Sequence, residues 1–143
     1  MNIAELKRRA EEGSCAAQSI LGLQYLYGSD EIAVDYEQAH RFLSTAANCG
    51  ASRAIANLAE MYARGLGVPK DVPRAIQLYE RVGKVEFFAA VALGRIYSKG
   101  IDVPTNAERA LQWYSVAAEF EGRVADCEAE LEEAKTYVKG LSR

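Results

Sequence analysis

The sequence lacks a long uninterrupted apolar run, so it predicts no transmembrane helix. Its first segment, residues 1–13, also lacks the apolar core of a signal peptide. Positive charge is not in excess, because 17 lysines and arginines stand against 20 aspartates and glutamates, which gives a net charge of −3. This balance argues against nucleic acids and anionic membranes as partners. Together, these absences predict a protein of the cytoplasm.

The residue constellations of common enzymes are also absent. His40 is the only histidine, so no second histidine can share a metal ion with it. The serine acyl-transfer strings Gly-x-Ser-x-Gly, Ser-x-x-Lys and Lys-Thr-Gly do not occur. A cysteine nucleophile needs a nearby base, and one histidine makes such a pair a poor expectation. The sequence therefore predicts no catalytic residue, no metal and no cofactor, and a hydrolase is the least favoured function.

Cysteine is scarce. The three cysteines are Cys15, Cys49 and Cys127, an odd number with no Cys-x-x-Cys pair. This pattern favours neither a disulfide framework nor a zinc site. Because free cysteine is one of the most frequently buried residue types, we interpret all three as reduced thiols packed within helices.

The sequence does contain an internal repeat. Residues 17–50, 54–83 and 90–122 superimpose on one another, with steps of 37 and 35 residues between equivalent positions. The aligned residues are Leu21, Leu58 and Leu93, then Tyr25, Tyr62 and Tyr97, then Gly28, Gly65 and Gly100. A period of this length is typical of helix–turn–helix repeats that stack into a solenoid.

Each repeat predicts two amphipathic helices joined by a glycine-bearing bend. We expect Asp35, Asp71 and Asn106 to cap the second helices, with Thr105 as an alternative cap in the third repeat. The stretch RGLGVPKDVPRA, residues 64–75, has a Gly-x-Gly string but neither a preceding strand nor a Lys-Ser/Thr pair. It therefore predicts a bend between helices and not a phosphate-binding loop.

The whole chain predicts one all-α domain over residues 1–143, with about eight helices and no sheet. The predicted repeats are 14–50, 51–86 and 87–122. A half-repeat helix over 2–12 precedes them, and a capping helix over 123–139 follows them, with acidic residues on its outer face.

The strings LGLQY, LAEMYARGLGVPKD and LGRIYSKGIDV, followed by WYSVAAEFEG, resemble the Sel-1-like repeat (SLR), a relative of the tetratricopeptide repeat. The resemblance covers about residues 13–122. It implies a right-handed α/α superhelix, or solenoid, that works as an adaptor or presents a peptide-binding groove. Some secreted relatives have disulfides, but the cysteines here do not fall on the paired helix positions, so the resemblance does not imply them.

Alignment of the repeats with their tetratricopeptide relatives places eight candidate partner-binding positions on the first helices. These helices would line a concave groove. They are Leu23, Tyr27, Arg53, Glu60, Arg64, Phe88, Arg95 and Lys99. Arg64 and Lys99 occupy equivalent positions one repeat apart, with Arg53 and Arg95 nearby. The resulting positive stripe suggests an extended peptide with acidic or C-terminal carboxylate character as the ligand. The alternative is that these side chains only keep the surface soluble.

The predicted function is a non-enzymatic protein–protein interaction module, an adaptor or scaffold of bacterial type in the cytoplasm. A second hypothesis is a stoichiometric inhibitor or immunity-type protein that blocks one dedicated enzyme. Nothing in the pattern supports a homodimer, although exposed end helices of solenoids can pair.

Overall fold

The computed structural model describes residues 2–141. Over this range the chain forms eight α-helices and no strand, as predicted. The helices are α1 Ile3–Glu11, α2 Cys15–Tyr27, α3 Tyr36–Asn48, α4 Ser52–Arg64, α5 Val72–Val82, α6 Phe87–Lys99, α7 Ala107–Ala118 and α8 Glu128–Leu141. None of the helices described is long and apolar enough to cross a bilayer.

The chain divides into two compact units, one ending at Ala75 and the other starting at Ile76. Unit 1 contains α1 to α4 and the start of α5. Unit 2 contains the rest of α5 and α6 to α8. The prediction of a single domain with the repeat boundaries given above stays a prediction.

The second helices begin where their caps were predicted. Asp35 and Asp71 each accept a hydrogen bond from the backbone N–H three residues ahead, at 3.1 Å in both cases. Asn106 does the same at 3.0 Å, so Asn106 and not Thr105 is the cap of α7. Each bond satisfies one of the backbone donors that the first turn of a helix leaves free.

The bend over residues 64–75 also has the predicted form. Gly65 ends α4 in the left-handed conformation with φ +67°, and Gly100 ends α6 in the same way with φ +66°. Glycine is favoured there because it has no Cβ to clash. Val68 packs against the core of unit 1, and Pro73 lies in the first turn of α5. The Gly-x-Gly string therefore ends one helix and leads into the next.

Glycines allow helices to pack closely in both units. A Cβ on Gly22 of α2 would lie 2.7 Å from the Leu43 side chain of α3, and a Cβ on Gly94 of α6 would lie 2.8 Å from the Tyr114 ring of α7. Leu43 and Tyr114 are both almost fully buried. In both pairs a first helix thus packs closely against a second helix through its glycine.

We expect Ala110→Leu to destabilise unit 2 by roughly 1–3 kcal/mol, because Ala110 is fully buried and a larger side chain would overpack α7. Ala107→Leu is the matched control, since it makes the same change at an exposed position in the first turn of the same helix. Chemical denaturation would compare the two variants. Equal stability would show that the helix interface does not run through Ala110.

The interpretation of three reduced thiols is wrong. Cys15 and Cys49 form a disulfide with their Cα atoms 6.3 Å apart, and only Cys127 is free, in a buried position. Cys15 is the first residue of α2, and Cys49 is the C-cap of α3. Because the two helices form an antiparallel pair, the start of one lies beside the end of the other. The Cα separation is within the range that a disulfide spans.

The last helix begins later than predicted. The sequence suggested a capping helix over 123–139, whereas α8 starts at Glu128. The preceding turn contains Gly122 with φ +79° and Asp126 with φ +58°. Left-handed residues interrupt a right-handed helix, so α8 cannot extend back to residue 123.

Candidate partner-binding surface

The eight candidate residues all lie on first helices: two on α2, three on α4 and three on α6. Helix α2 carries no charged residue. In α4 the charged residues are Arg53, Glu60 and Arg64, and in α6 they are Arg95 and Lys99. The three helices together therefore carry four basic residues and one acidic residue, although the chain as a whole has a net charge of −3.

Three of the candidates meet in unit 1. The Tyr27 hydroxyl lies 2.5 Å from Glu60 Oε2, to which it donates, and 3.0 Å from Asn57 Oδ1. Arg64 Nη1 pairs with the other oxygen of Glu60 at 2.9 Å. Burial and then the Glu60 carboxylate raise the pKa of Tyr27 above its ordinary value. The hydroxyl therefore stays protonated and continues to donate to Glu60 at neutral pH.

Two further candidates lie close to this cluster in sequence. Arg53 is exposed and shares a helix face with Glu60 and Arg64, and its guanidinium has no ion-pair partner among the described residues. Leu23 lies one turn before Tyr27 on α2 and is half-buried. Glu60 accepts from Tyr27 and pairs with Arg64, so Arg53 is the basic residue of α4 that this carboxylate does not neutralise.

In unit 2, Arg95 is engaged by the last helix. Its Nη2 lies 2.7 Å from Glu133 Oε2, and its Nε donates to both carboxylate oxygens at 2.9 and 3.1 Å. The Tyr114 hydroxyl donates to Glu133 Oε1 at 3.2 Å. Burial raises the pKa of Glu133, but the hydrogen bond and charge of Arg95 outweigh it and leave that pKa below its usual value. Arg95 therefore forms an ion pair with Glu133 of α8. The positive stripe predicted from the sequence had counted Arg95 as a free cation.

Phe88 and Lys99 lie at opposite ends of α6. Phe88 is 59% exposed, and its ring rests edge-on against Phe87 with the centroids 5.4 Å apart. Lys99 is exposed and forms no ion pair with the residues that the structure describes. Within α6, Phe88, Arg95 and Lys99 are spaced seven and then four residues apart, so they share one face. A continuous stripe from Arg64 to Lys99 stays a prediction.

The sequence reasoning missed several residues of these surfaces. Ile20 is 48% exposed, one turn before Leu23 on α2, and Asn57 contacts Tyr27. Helical spacing from the residues already chosen could have identified both. It could not have identified Glu133, because α8 was interpreted only as a cap with a solvated acidic face.

The single histidine is a packing residue. His40 Nε2 lies 3.1 Å from the Tyr62 hydroxyl, and the two rings meet edge to face with their centroids 5.9 Å apart. Burial and then the charge of Arg74 lower the pKa of His40, which favours the neutral ring.

Among residues 2–141, no three potential metal ligands come together. The candidate residues thus present hydrogen-bonding groups, positive charge and exposed apolar side chains, and their role in binding stays a prediction.

Comparisons with known proteins agree with this architecture. A family model described as the Sel1 repeat matches residues 15–50, 52–81 and 88–119. Among solved structures, the chain is similar to a Sel1 repeat protein from Oxalobacter formigenes, with 26% identity and a TM-score of 0.75 over 83% of this chain and 91% of that one. A search of curated proteins gave no match.

A second similar structure is a protective antigen present in uropathogenic Escherichia coli strains, which displays an SLR fold. The identity is 28% and the TM-score 0.77, over all of this chain and 34% of the antigen. The present chain therefore spans about a third of that protein.

The matched repeats cover more than half of the chain. They include the leucine, tyrosine and glycine positions on which the sequence resemblance depended. The helices and the two similar structures confirm the predicted all-α solenoid fold. Sel1 repeat proteins are generally non-catalytic modules for protein–protein interaction. This chain belongs to the Sel1 repeat family.

Proposed function

We propose that the protein is a non-enzymatic adaptor whose first helices bind an extended segment of a partner protein with acidic or C-terminal carboxylate character. The observation that supports this proposal is the charge distribution. Helices α2, α4 and α6 carry Glu60 as their only acidic residue and have four basic ones, on a chain that is acidic overall. Two of the four, Arg64 and Arg95, already pair with Glu60 and with Glu133 of α8, so Arg53 and Lys99 are the basic residues that would attract and orient an acidic partner.

The exposed apolar side chains on the same helices support a peptide as the ligand. Ile20 and Tyr27 on α2 and Phe88 on α6 are each about half exposed or more, at 48%, 58% and 59%. Protein-binding surfaces are enriched in aromatic residues and arginine, and aromatic side chains provide a large contact area at a low entropic cost. An extended segment with alternating acidic and apolar residues would satisfy both kinds of group.

Selection from a library of random peptides with free C-termini, displayed against the purified full-length protein, would test the proposal. We expect the selected peptides to be enriched in aspartate and glutamate or in a common C-terminal residue. Their affinity should fall as salt is added, because the contacts are charged. Enrichment of basic peptides would contradict the proposal.

A charge-reversed variant, Arg53→Glu with Arg64→Glu and Lys99→Glu, should weaken binding of a selected peptide more than about ten-fold. The matched control is Arg9→Glu with Arg81→Glu and Lys139→Glu, which changes the net charge equally at exposed positions outside α2, α4 and α6. Fluorescence anisotropy would give both dissociation constants. Equal weakening in the two variants would mean that only net charge matters and that the first helices are not the binding surface.

The disulfide bears on where the adaptor works. Disulfides persist in oxidising compartments and are rare in the cytoplasm. We therefore propose an oxidising compartment of a bacterium, in place of the cytoplasm that the sequence predicted. Both similar structures are of bacterial proteins, which supports a bacterial source for this chain.

Thiol labelling of the protein isolated from its native cells, without reductant, should modify Cys127 alone after denaturation. Labelling of all three cysteines would place the protein in a reducing compartment.

A further inference from the structure

Three helices of unit 1 meet at the ring of Tyr62 on α4. His40 of α3 contacts this ring edge to face, with its Nε2 3.1 Å from the tyrosine hydroxyl. The Arg74 guanidinium of α5 lies over the ring, with its Cζ 4.5 Å from the ring centroid. Tyr62 is buried, His40 is half-buried and Arg74 is exposed. A buried aromatic ring thus brings a titratable imidazole close to a permanent positive charge.

Unit 2 contains the same tyrosine and arginine with a different third partner. Its Tyr97 and Arg109 each lie 35 residues after their counterparts in unit 1. The Arg109 guanidinium lies over the Tyr97 ring at 5.5 Å and donates to the hydroxyl at 3.0 Å. The same hydroxyl donates to Glu80 of α5 at 3.3 Å, and this carboxylate lies 3.8 Å from Arg109. A carboxylate therefore balances the arginine in unit 2, whereas unit 1 places a histidine beside it.

Among the described residues, Arg74 provides the charge that acts on the imidazole. Burial lowers the pKa of His40, and the charge of Arg74 lowers it further. Helix α2, which also packs on α3, carries no charged residue, and α4 presents the Tyr62 hydroxyl. On α3 itself, Arg41 pairs with a glutamate of α1, and Glu37 is exposed. None of these groups stabilises a proton on the ring.

We propose that the contact of His40, Tyr62 and Arg74 is acid-sensitive: it holds α3, α4 and the start of α5 together at neutral pH and weakens when His40 takes up a proton. A neutral imidazole can accept a hydrogen bond from the Tyr62 hydroxyl at Nε2, whereas an imidazolium can only donate. The imidazolium also adds a second positive charge beside Arg74. Both changes act against the packing of the three helices.

The pH range of this response follows from the direction of the pKa shift. Because folding lowers the pKa of His40 from its ordinary value of 6.5, the unfolded chain binds the proton more readily. Stability is therefore lost as the pH falls below about 6.5 and through the lower pKa of the folded state. Carboxylates titrate mainly below this range and thiols above it, and the chain has one histidine. The response can therefore be assigned to a single residue.

The inference does not depend on the proposed function. His40, Tyr62 and Arg74 are not among the eight candidate binding positions, and two of the three lie on second helices. Loss of peptide binding would leave the acid-sensitive contact in place, and loss of the acid response would leave the binding surface in place.

The first experiment follows the imidazole signals of the full-length protein, without a histidine tag, by NMR from about pH 8 to about pH 5. We expect a midpoint below 6.5 in the wild type and a higher midpoint in Arg74→Gln, which removes the nearby charge. Arg81→Gln is the matched control, since it neutralises an exposed arginine farther along α5 and should leave the midpoint unchanged. A wild-type midpoint at or above 6.5, or no change in Arg74→Gln, would overturn the inference.

Hydrogen exchange then measures whether the proton loosens unit 1. Protection factors are compared at about pH 7 and about pH 5.5, because they correct for the intrinsic dependence of amide exchange on pH. We expect the protection of α3 and α4 to fall by about two-fold or more on acidification. Helices α6 and α7 are the internal control, because Glu80 stays ionised over this range beside Arg109. An equal fall in both units would contradict a local response at His40.

Variants at the histidine complete the test. His40→Gln keeps a neutral hydrogen-bonding side chain, and His40→Glu supplies the type of group that unit 2 has at Glu80. Both variants should lose most of the acid response of α3 and α4. Arg74→Gln keeps the histidine and should show a smaller response than the wild type, so the inference can be tested even if a variant at residue 40 does not fold. A response in His40→Gln as large as that of the wild type would show that the imidazole is not the sensor.

Discussion

Replacement of Cys15 and Cys49 by serine is expected to lower the free energy of unfolding by about 3–4 kcal/mol. The bridge joins residues 34 positions apart, and a cross-link that closes a loop of this length removes many conformations from the unfolded chain. The loss should appear as a lower midpoint of chemical denaturation. It belongs to unit 1, where both cysteines lie.

Reductant provides the control for this prediction. Dithiothreitol should destabilise the wild-type protein by a similar amount and leave the doubly substituted variant unchanged. Cys127→Ser removes the free thiol and keeps the bridge, so this variant should remain sensitive to reductant. A wild-type protein whose midpoint does not respond to reductant would show that the bridge contributes nothing to stability.

Trp113→Ala is expected to destabilise unit 2 by about 3–5 kcal/mol. Trp113 is 8% exposed, and its ring fills the space beside Gly83, where an added Cβ would lie within 2.4 Å of the indole. Removal of the ring exposes this site to solvent or leaves a cavity, because the surrounding helices can close over it only in part. Both the lost burial and the cavity reduce stability.

Gln112→Ala is the matched control, since Gln112 is the exposed neighbour of Trp113 on α7. Urea denaturation followed by far-ultraviolet circular dichroism is suitable for both variants, because it does not depend on the only tryptophan. We expect Gln112→Ala to change the stability by less than about 0.5 kcal/mol. If Trp113→Ala unfolded at the same urea concentration as Gln112→Ala, the packing of the indole against Gly83 would be energetically unimportant.

The features that could be predicted from the sequence are those that neighbouring residues determine. Asp35, Asp71 and Asn106 cap helices because their side chains reach a backbone N–H only three residues away. Gly65 and Gly100 end helices because a left-handed backbone strongly favours glycine. The repeat added a check, since the same local pattern recurs in three copies.

The features that could not be predicted depend on residues far apart in the chain. Cys15 and Cys49 meet only after α2 and α3 have paired, and the cysteine count argued for free thiols. Arg95 and Glu133 are 38 residues apart, and the helical pattern of α8 did not indicate that Glu133 faces α6. For the same reason, the sequence could not show that Arg95 is ion-paired while Lys99 forms no ion pair with the described residues. Only the structure distinguishes the two cations.

The disulfide also restrains the surface of unit 1 on which the proposed partner would bind. It attaches the first residue of α2 to Cys49, two residues before Ala51, the N-cap of α4. Near the other end of α2, the Tyr27 hydroxyl donates a hydrogen bond to Glu60 of α4. The start of α2 is thus attached to the end of α3, just before α4, and its last residue is attached to α4. A partner then loses less binding free energy to the ordering of this surface, because that entropy was already lost when the chain folded and its cysteines were oxidised.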